Sequence, residues 1–323
     1  MMYTDKSQSE MAQRYFAFIL VFNLAILLTG ITGIIFGVKW YISETKVIYE
    51  DVTCCGTFCI KCVFTFRTMI TFFHWTVNVL LLFGIYKAIH LGLSMIYREY
   101  RFIRITDSLP IDDLPKLKRV LRGVDSTSWP VLLDDQESML AFTSGLLKPK
   151  VYVSKGLCLY LKPKELFSVI MHEAYHKKDM APLKVFIVKI LCAFNYYLPV
   201  NRFLANRYHS FSEKAADDYA ISATQEPFEL ATAMVKISRL SSRLTPALTV
   251  TFLKKQRLLE ERIARLIEKS SESHPVSVRY FFSSTILSIL IVGMSCFSLF
   301  FSHFPFSNTV NCMTNPCHTT VCF

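Results

Sequence analysis

Residues 161–179 read LKPKELFSVIMHEAYHKKD. Pro163 suits the first turn of a helix, where its missing N–H is not needed. Leu166, Phe167, Ile170, Met171 and Ala174 recur at helical spacing and form one apolar face. The spacing predicts a helix, and that helix carries His172-Glu173-Ala174-Tyr175-His176. Residues four apart on a helix lie one above the other. His172 and His176 are therefore expected to aim imidazole nitrogens at one metal ion, and one Zn²⁺ per chain is the expected cofactor. Zinc lowers the pKa of a bound water toward ~7. Glu173, beside the histidines, is the expected general base that takes its proton. The pattern is that of metal-assisted peptide hydrolysis. The plainer alternative is a charged, solvated helix with incidental histidines.

The surroundings favour the metal. A catalytic zinc needs a third protein ligand and an open position. Residues 211–220 read FSEKAADDYA, a second predicted helix. Glu213 is the expected third ligand. Asp217, one turn later, is expected to accept the free N–H of a zinc-bound histidine. Asp218, Asp179 and His209 are the nearby alternatives. Tyr175, His209 and Arg207 are candidate donors to the oxyanion.

Residues 140–154 read LAFTSGLLKPKVYVS and predict a small sheet or hairpin before the catalytic helix. Ala141 and Phe142 are expected to line an edge strand that pairs with an extended substrate; a purely structural hairpin is the alternative. Residues 251–272 predict an amphipathic helix whose basic face meets membrane or solvent and has no catalytic role. No glycine-rich phosphate loop, internal repeat or nucleic-acid-binding motif is present.

Beyond this domain the chain is apolar. Residues 15–38, 68–86 and 280–301 carry no charge, and each is long enough to cross a ~30 Å hydrocarbon core as a helix. Hydrophobic residues make up 52% of the chain and charged residues 19%, unlike an ordinary soluble domain. A net charge of +11 suits nucleic acid or an anionic membrane. The lysines and arginines flank the apolar runs, so a bilayer is the expected partner and direct nucleic-acid binding is not expected. A fourth run, 183–198, contains Lys184 and Lys189 and is expected to lie at the membrane interface, with a full span as the alternative.

Basic residues near the helix ends place 87–279 in the cytoplasm. The expected organisation is two transmembrane helices with an outer loop (1–96), a cytoplasmic metallopeptidase domain (97–279), and a final span with an outer tail (280–323). Cys54, Cys55, Cys59 and Cys62 fall in the outer loop, and Cys312, Cys317 and Cys322 in the tail. Disulfides are expected there, because they persist in oxidising compartments; an outer metal site is the alternative. His74, within the second run, is expected to serve helix packing.

AFTSGLLKPKVYVSKGL, ELFSVIMHEAYHKKDMAPLK and NYYLPVNRFLANRYHSFSEKAADDYA, taken together, resemble the membrane metallopeptidase domain of the BlaR and MecR sensor-transducers. The similarity runs from about 131 to 220 and more weakly to about 266. It implies a mainly α membrane protein with a cytoplasmic gluzincin-like α+β domain. It also implies zinc on His172, His176 and Glu213 with Glu173 as base. In those sensors activation leads to loss of a transcriptional repressor; here a cytoplasmic repressor, the chain itself or a membrane protein or peptide is the expected substrate. Those sensors carry a penicillin-binding domain after the last span. In this sequence residues 302–323 follow it, so β-lactam sensing is not among the expectations. HtpX/Ste24-like quality-control proteases share the ligand pattern and are the alternative, as is a non-catalytic zinc-binding signalling protein. A plasma or inner membrane location is expected, and a homo-oligomer is compatible with the sequence.

Overall fold

The computed structural model describes residues 5–47, 57–105, 108–122, 130–244 and 259–267, with isolated positions at 282, 283, 286 and 293. The chain is mostly helical and divides into two compact units. One comprises Met1–Val21 with Tyr86–Tyr280, the other Phe22–Ile85 with Phe281–Phe323.

Two long helices, α1 (Asp5–Val47) and α2 (Thr57–Ile105), run through both units. Within the second unit, Gly30 of α1 faces Leu81 of α2, and a Cβ on Gly30 would stand 3.3 Å from the leucine. Ser7–Thr32 and Asn78–Phe102 are long and apolar enough to cross a membrane by length and composition, and only 11% and 17% of their most apolar windows are buried. A soluble core helix would be mostly covered. The second stretch overlaps the expected run 68–86 only in part and continues past Lys87. The third expected run, 280–301, lies outside the described residues apart from the isolated positions.

The first unit holds a small mixed sheet against helices. Its strands are β1 (Ser108–Leu109), β2 (Val131–Leu133), β3 (Ala141–Ser144) and β4 (Lys150–Ser154), in the order β1-β2-β4-β3. β2 and β4 are parallel, and β1 and β3 are the antiparallel edges. After a 3₁₀ turn at Ile111–Asp113 comes α3 (Pro115–Val120). α4 (Lys155–Tyr160) and α5 (Pro163–Lys178) follow the sheet. Ser154 caps α4 by accepting from Leu157 N, while its hydroxyl donates to Ser138 O. Leu132, Val153, Leu166 and Ile170 are fully buried in the core between sheet and α5. Each such side chain contributes about 1.5–3 kcal/mol on burial, which fixes the register of α5 and hence the direction of its opposite face.

Past the end of α5, Met180 is left-handed (φ 53°), and α6 (Ala181–Phe194) follows with Pro182 in its first turn. α6 has 14 residues and is about 21 Å long at 1.5 Å per residue, short of a ~30 Å core. Its Ile190 packs on Gly92 of α2, where a Cβ would stand 3.1 Å from Ile190 Cδ1. α7 (Pro199–Thr224) and α8 (Pro227–Leu244) follow. Of the expected helix at 251–272, residues 259–267 are helical; the remainder lies outside the described residues. The start of α1 packs on this unit. Tyr15 stacks on Phe211 at 5.3 Å, and Tyr175 Oη donates to Ser9 Oγ at 3.1 Å.

Cys54, Cys55, Cys312, Cys317 and Cys322 lie outside the described residues. Cys59, Cys62 and His74 fall within α2, where only their backbone is described. Cys158 and Cys192 are free thiols.

Candidate metal centre

The helical period puts His172 and His176 on the face of α5 turned from the sheet, and α7 crosses that face. The crossing brings Glu213 to them, so that one ligand atom from each residue lies within 4.8 Å of the others. Glu213 Oε1 is 3.4 Å from His176 Nε2, and Glu213 Oε2 is 3.7 Å from His172 Nε2. Ligands of a tetrahedral zinc at Zn–N and Zn–O of ~2.0–2.1 Å stand about 3.3 Å apart. The observed spacings therefore suit one zinc ion with little adjustment.

The imidazole tautomers fit as well. His172 Nδ1 lies 3.0 Å from Asp217 Oδ1. The nearby carboxylate favours the proton on Nδ1, which leaves Nε2 as the lone-pair donor toward Glu213. His176 Nδ1 is buried with no hydrogen-bond partner among the described residues.

Residues 116–281 match peptidase family M48. The chain belongs to peptidase family M48. M48 peptidases are zinc-dependent, and the matched stretch contains every residue of the cluster. No curated protein matches the chain.

Glu173 lies next to the ligands of this M48 site on α5, half-buried. Its Oε2 is 2.9 Å from Thr143 Oγ1, which is also 2.9 Å from the Glu173 carbonyl oxygen. A hydroxyl has one proton to give, and the charged oxygen is the stronger acceptor. Thr143 belongs to β3, whose second edge pairs with no strand among the described residues. The side chains of Ala141 and Phe142 are engaged elsewhere. Ala141 packs on the main core, and Phe142 stacks on Tyr152 at 5.5 Å and meets Phe102 edge-on at 5.3 Å. What β3 offers beside the site is its backbone edge.

The sequence did not reveal the part played by Arg262. Its helix was expected to turn a basic face to membrane or solvent, without a role at the centre. Instead, Arg262 Nε and Nη2 donate to Asp217 Oδ2 and Oδ1 at 2.8 and 2.6 Å, and Nη1 reaches Glu213 Oε2 at 2.7 Å. The physical reason is that Asp217 is almost fully enclosed, and a buried carboxylate demands a paired cation. Arg265 likewise pairs with Asp218 at 2.5 Å, and Lys214 with Glu261 at 2.8 Å. No signal in the sequence ties these arginines to acids some 45 residues earlier. Thr143, one hydroxyl in a short strand, gave no signal either.

These charges set the ionisation of the site. Burial alone would raise the Glu213 carboxyl, but the Arg262 charge, followed by His176 and His172, outweighs it and holds the group well below its usual range. Burial would raise Asp217 too, yet Arg262 and then His172 keep it low. Burial disfavours a charged His176, but the hydrogen bond and charge of Glu213 raise its pKa above the ordinary value. Both carboxylates are thus ionised at neutral pH, as metal ligation requires.

The other sequence candidates sit apart. Asp218 is held by Arg265, and Asp179 by Lys184. Tyr175 is buried with its hydroxyl on Ser9. Arg207 lies over the Phe203 ring at 5.4 Å. His209, one turn before Glu213, is the exception: it interacts electrostatically with Glu213, His176 and Arg262, and burial of its ring lowers its pKa below the ordinary value.

Proposed function

We propose that this M48 peptidase is a membrane-embedded zinc endopeptidase that cleaves a cytoplasmic or membrane protein in regulated proteolysis, with its catalytic domain on the cytoplasmic side. The observation that carries the reading is the cluster of His172, His176 and Glu213 with the Glu173 carboxylate beside it. The two long, poorly buried apolar helices support the membrane setting. The basic residues at their ends support the orientation.

Zinc held by His172, His176 and Glu213 supplies a Lewis acid and an acidified water. Asp217 keeps the His172 proton on Nδ1 and so presents Nε2 as a ligand. Arg262 keeps Glu213 and Asp217 ionised and in place. Glu173 takes the proton of the attacking water and passes it to the leaving amine. Thr143 orients that carboxylate. The open edge of β3 pairs with an extended peptide, which fixes the scissile bond beside α5.

Wild-type protein and Glu173→Gln in membranes, compared by mass spectrometry of the peptides each generates, test this. Fragments unique to wild type are the expected result and identify the substrate. They separate cleavage of a repressor or of the chain itself from quality-control cleavage of damaged membrane proteins. A Glu173→Gln protein as active as wild type refutes the assignment.

A further inference from the structure

The turn between β3 and β4 carries a large apolar side chain that no packing among the described residues covers. Leu147 is 77% exposed, and Lys148 and Lys150 beside it are exposed too. The turn is tight. Gly145 has φ +113°, and a Cβ there would stand 2.6 Å from Lys148 O. Pro149 is buried. The backbone therefore holds Leu147 outward.

Contacts with α2 give the direction of the turn. Phe142 on β3 and Tyr152 opposite it on β4 both pack on Phe102, at 5.3 and 5.4 Å. Two residues further along β3, Ser144 Oγ donates to Glu99 Oε1 at 2.6 Å. Advancing along β3 from 142 to 144 thus means moving back along α2 from 102 to 99. The turn that follows continues the same way, toward the part of α2 that precedes Glu99. That part belongs to the apolar stretch Asn78–Phe102, with Leu93 63% and Ile96 47% exposed. Arg98, Arg101 and Arg104 are exposed at this same end.

We infer that the β3–β4 turn is a lipid anchor, in which Leu147 enters the boundary of an anionic bilayer and Lys148 and Lys150 meet its headgroup phosphates. The inference rests on the reading of α2 as a membrane span. A leucine flanked by lysines suits that boundary: the leucine leaves water, and the lysine stems lie along apolar surface with their ammonium groups at the phosphates. Because β3 also carries Thr143, which is bonded to Glu173, the anchor sets the height of the catalytic carboxylate above the membrane.

The test places p-benzoylphenylalanine singly at 147, at 159 and at 93 of the full chain in nanodiscs of phosphatidylcholine and phosphatidylglycerol. Lipid adducts are then measured by mass spectrometry after illumination. Leu159 is 59% exposed on α4, at the other end of β4, and serves as the water-facing control. Adducts are expected at 93 and 147. Those at 147 should exceed those at 159 by about tenfold or more, since burying a leucine biases its position by at least that factor. Adducts at 93 with no excess at 147 overturn the anchor and leave the span standing. Absence at both 93 and 147 overturns the membrane reading and the anchor with it. Adducts at 147 without any at 93 overturn the span, and with it the anchor as argued from the direction of α2. Omitting phosphatidylglycerol should lower the yield at 147 and not at 93; an unchanged yield overturns the part given to the lysines.

Discussion

Arg262→Met should weaken zinc binding and destabilise the catalytic unit. The substitution keeps much of the side-chain volume and removes three charged contacts: two to Asp217 at 2.8 and 2.6 Å and one to Glu213 at 2.7 Å. The carboxylate partners are 1% and 21% exposed, so water cannot replace the guanidinium around Asp217. Removing one member of a buried ion pair costs about 3–5 kcal/mol. Bound zinc offsets part of that cost by neutralising Glu213, so the loss should be larger without metal. Residues that orient ligands from outside the coordination shell typically change metal affinity by about 10–100-fold, or about 1.4–2.7 kcal/mol. The opposing effect is repulsion: Arg262 also brings a positive charge near a dication. If repulsion dominated, the methionine variant would bind zinc more tightly. The assay is zinc affinity by competition with a chromogenic chelator, together with melting temperature with and without zinc. A 10–100-fold weaker affinity, with Arg262→Lys in between because it keeps the charge and loses the fork, is the expected result. Unchanged or tighter binding by Arg262→Met refutes the positioning argument.

Glu173→Gln should retain zinc and lose about 10²–10⁴-fold in turnover, the contribution of a positioned general base; elemental analysis and a peptide-cleavage assay read both. His176→Ala should lose the metal itself, and stoichiometric zinc in that variant would remove His176 from the ligand set. Thr143→Val should leave zinc content unchanged and lower kcat about 10–100-fold, the worth of a hydrogen bond to a charged group. Glu165 gives a pH test away from the site. Burial would raise its carboxyl, but the Lys236 hydrogen bonds at 2.6 and 2.8 Å and the Lys162 backbone N–H outweigh that and lower it. A depressed folded pKa means that this ionised pair stabilises the fold above the unfolded value near ~4.3 and stops doing so as pH falls through the folded value. Wild type should therefore lose more melting temperature than Glu165→Gln between about pH 6 and pH 3, and parallel curves would count against the pair.

How much of this was legible in the amino-acid sequence follows the range of the forces involved. The period of 3.6 residues is local, so the register that sends Leu166 and Ile170 into the core and His172 and His176 to the opposite face could be read from the order of residues alone. The spacing of four between Glu213 and Asp217 was legible for the same reason, as were the long uncharged runs. Tertiary packing decided the rest. It set α7 across α5 so that Glu213 meets both histidines and Asp217 meets only His172. It turned Phe142 into an aromatic cluster with Tyr152 and Phe102, leaving β3 to present backbone beside Glu173. It also drew Arg262 from an expected outer face into the centre. A buried carboxylate requires a cation, but any of many arginines could supply it along the sequence, and only the fold selects which one comes within hydrogen-bonding distance.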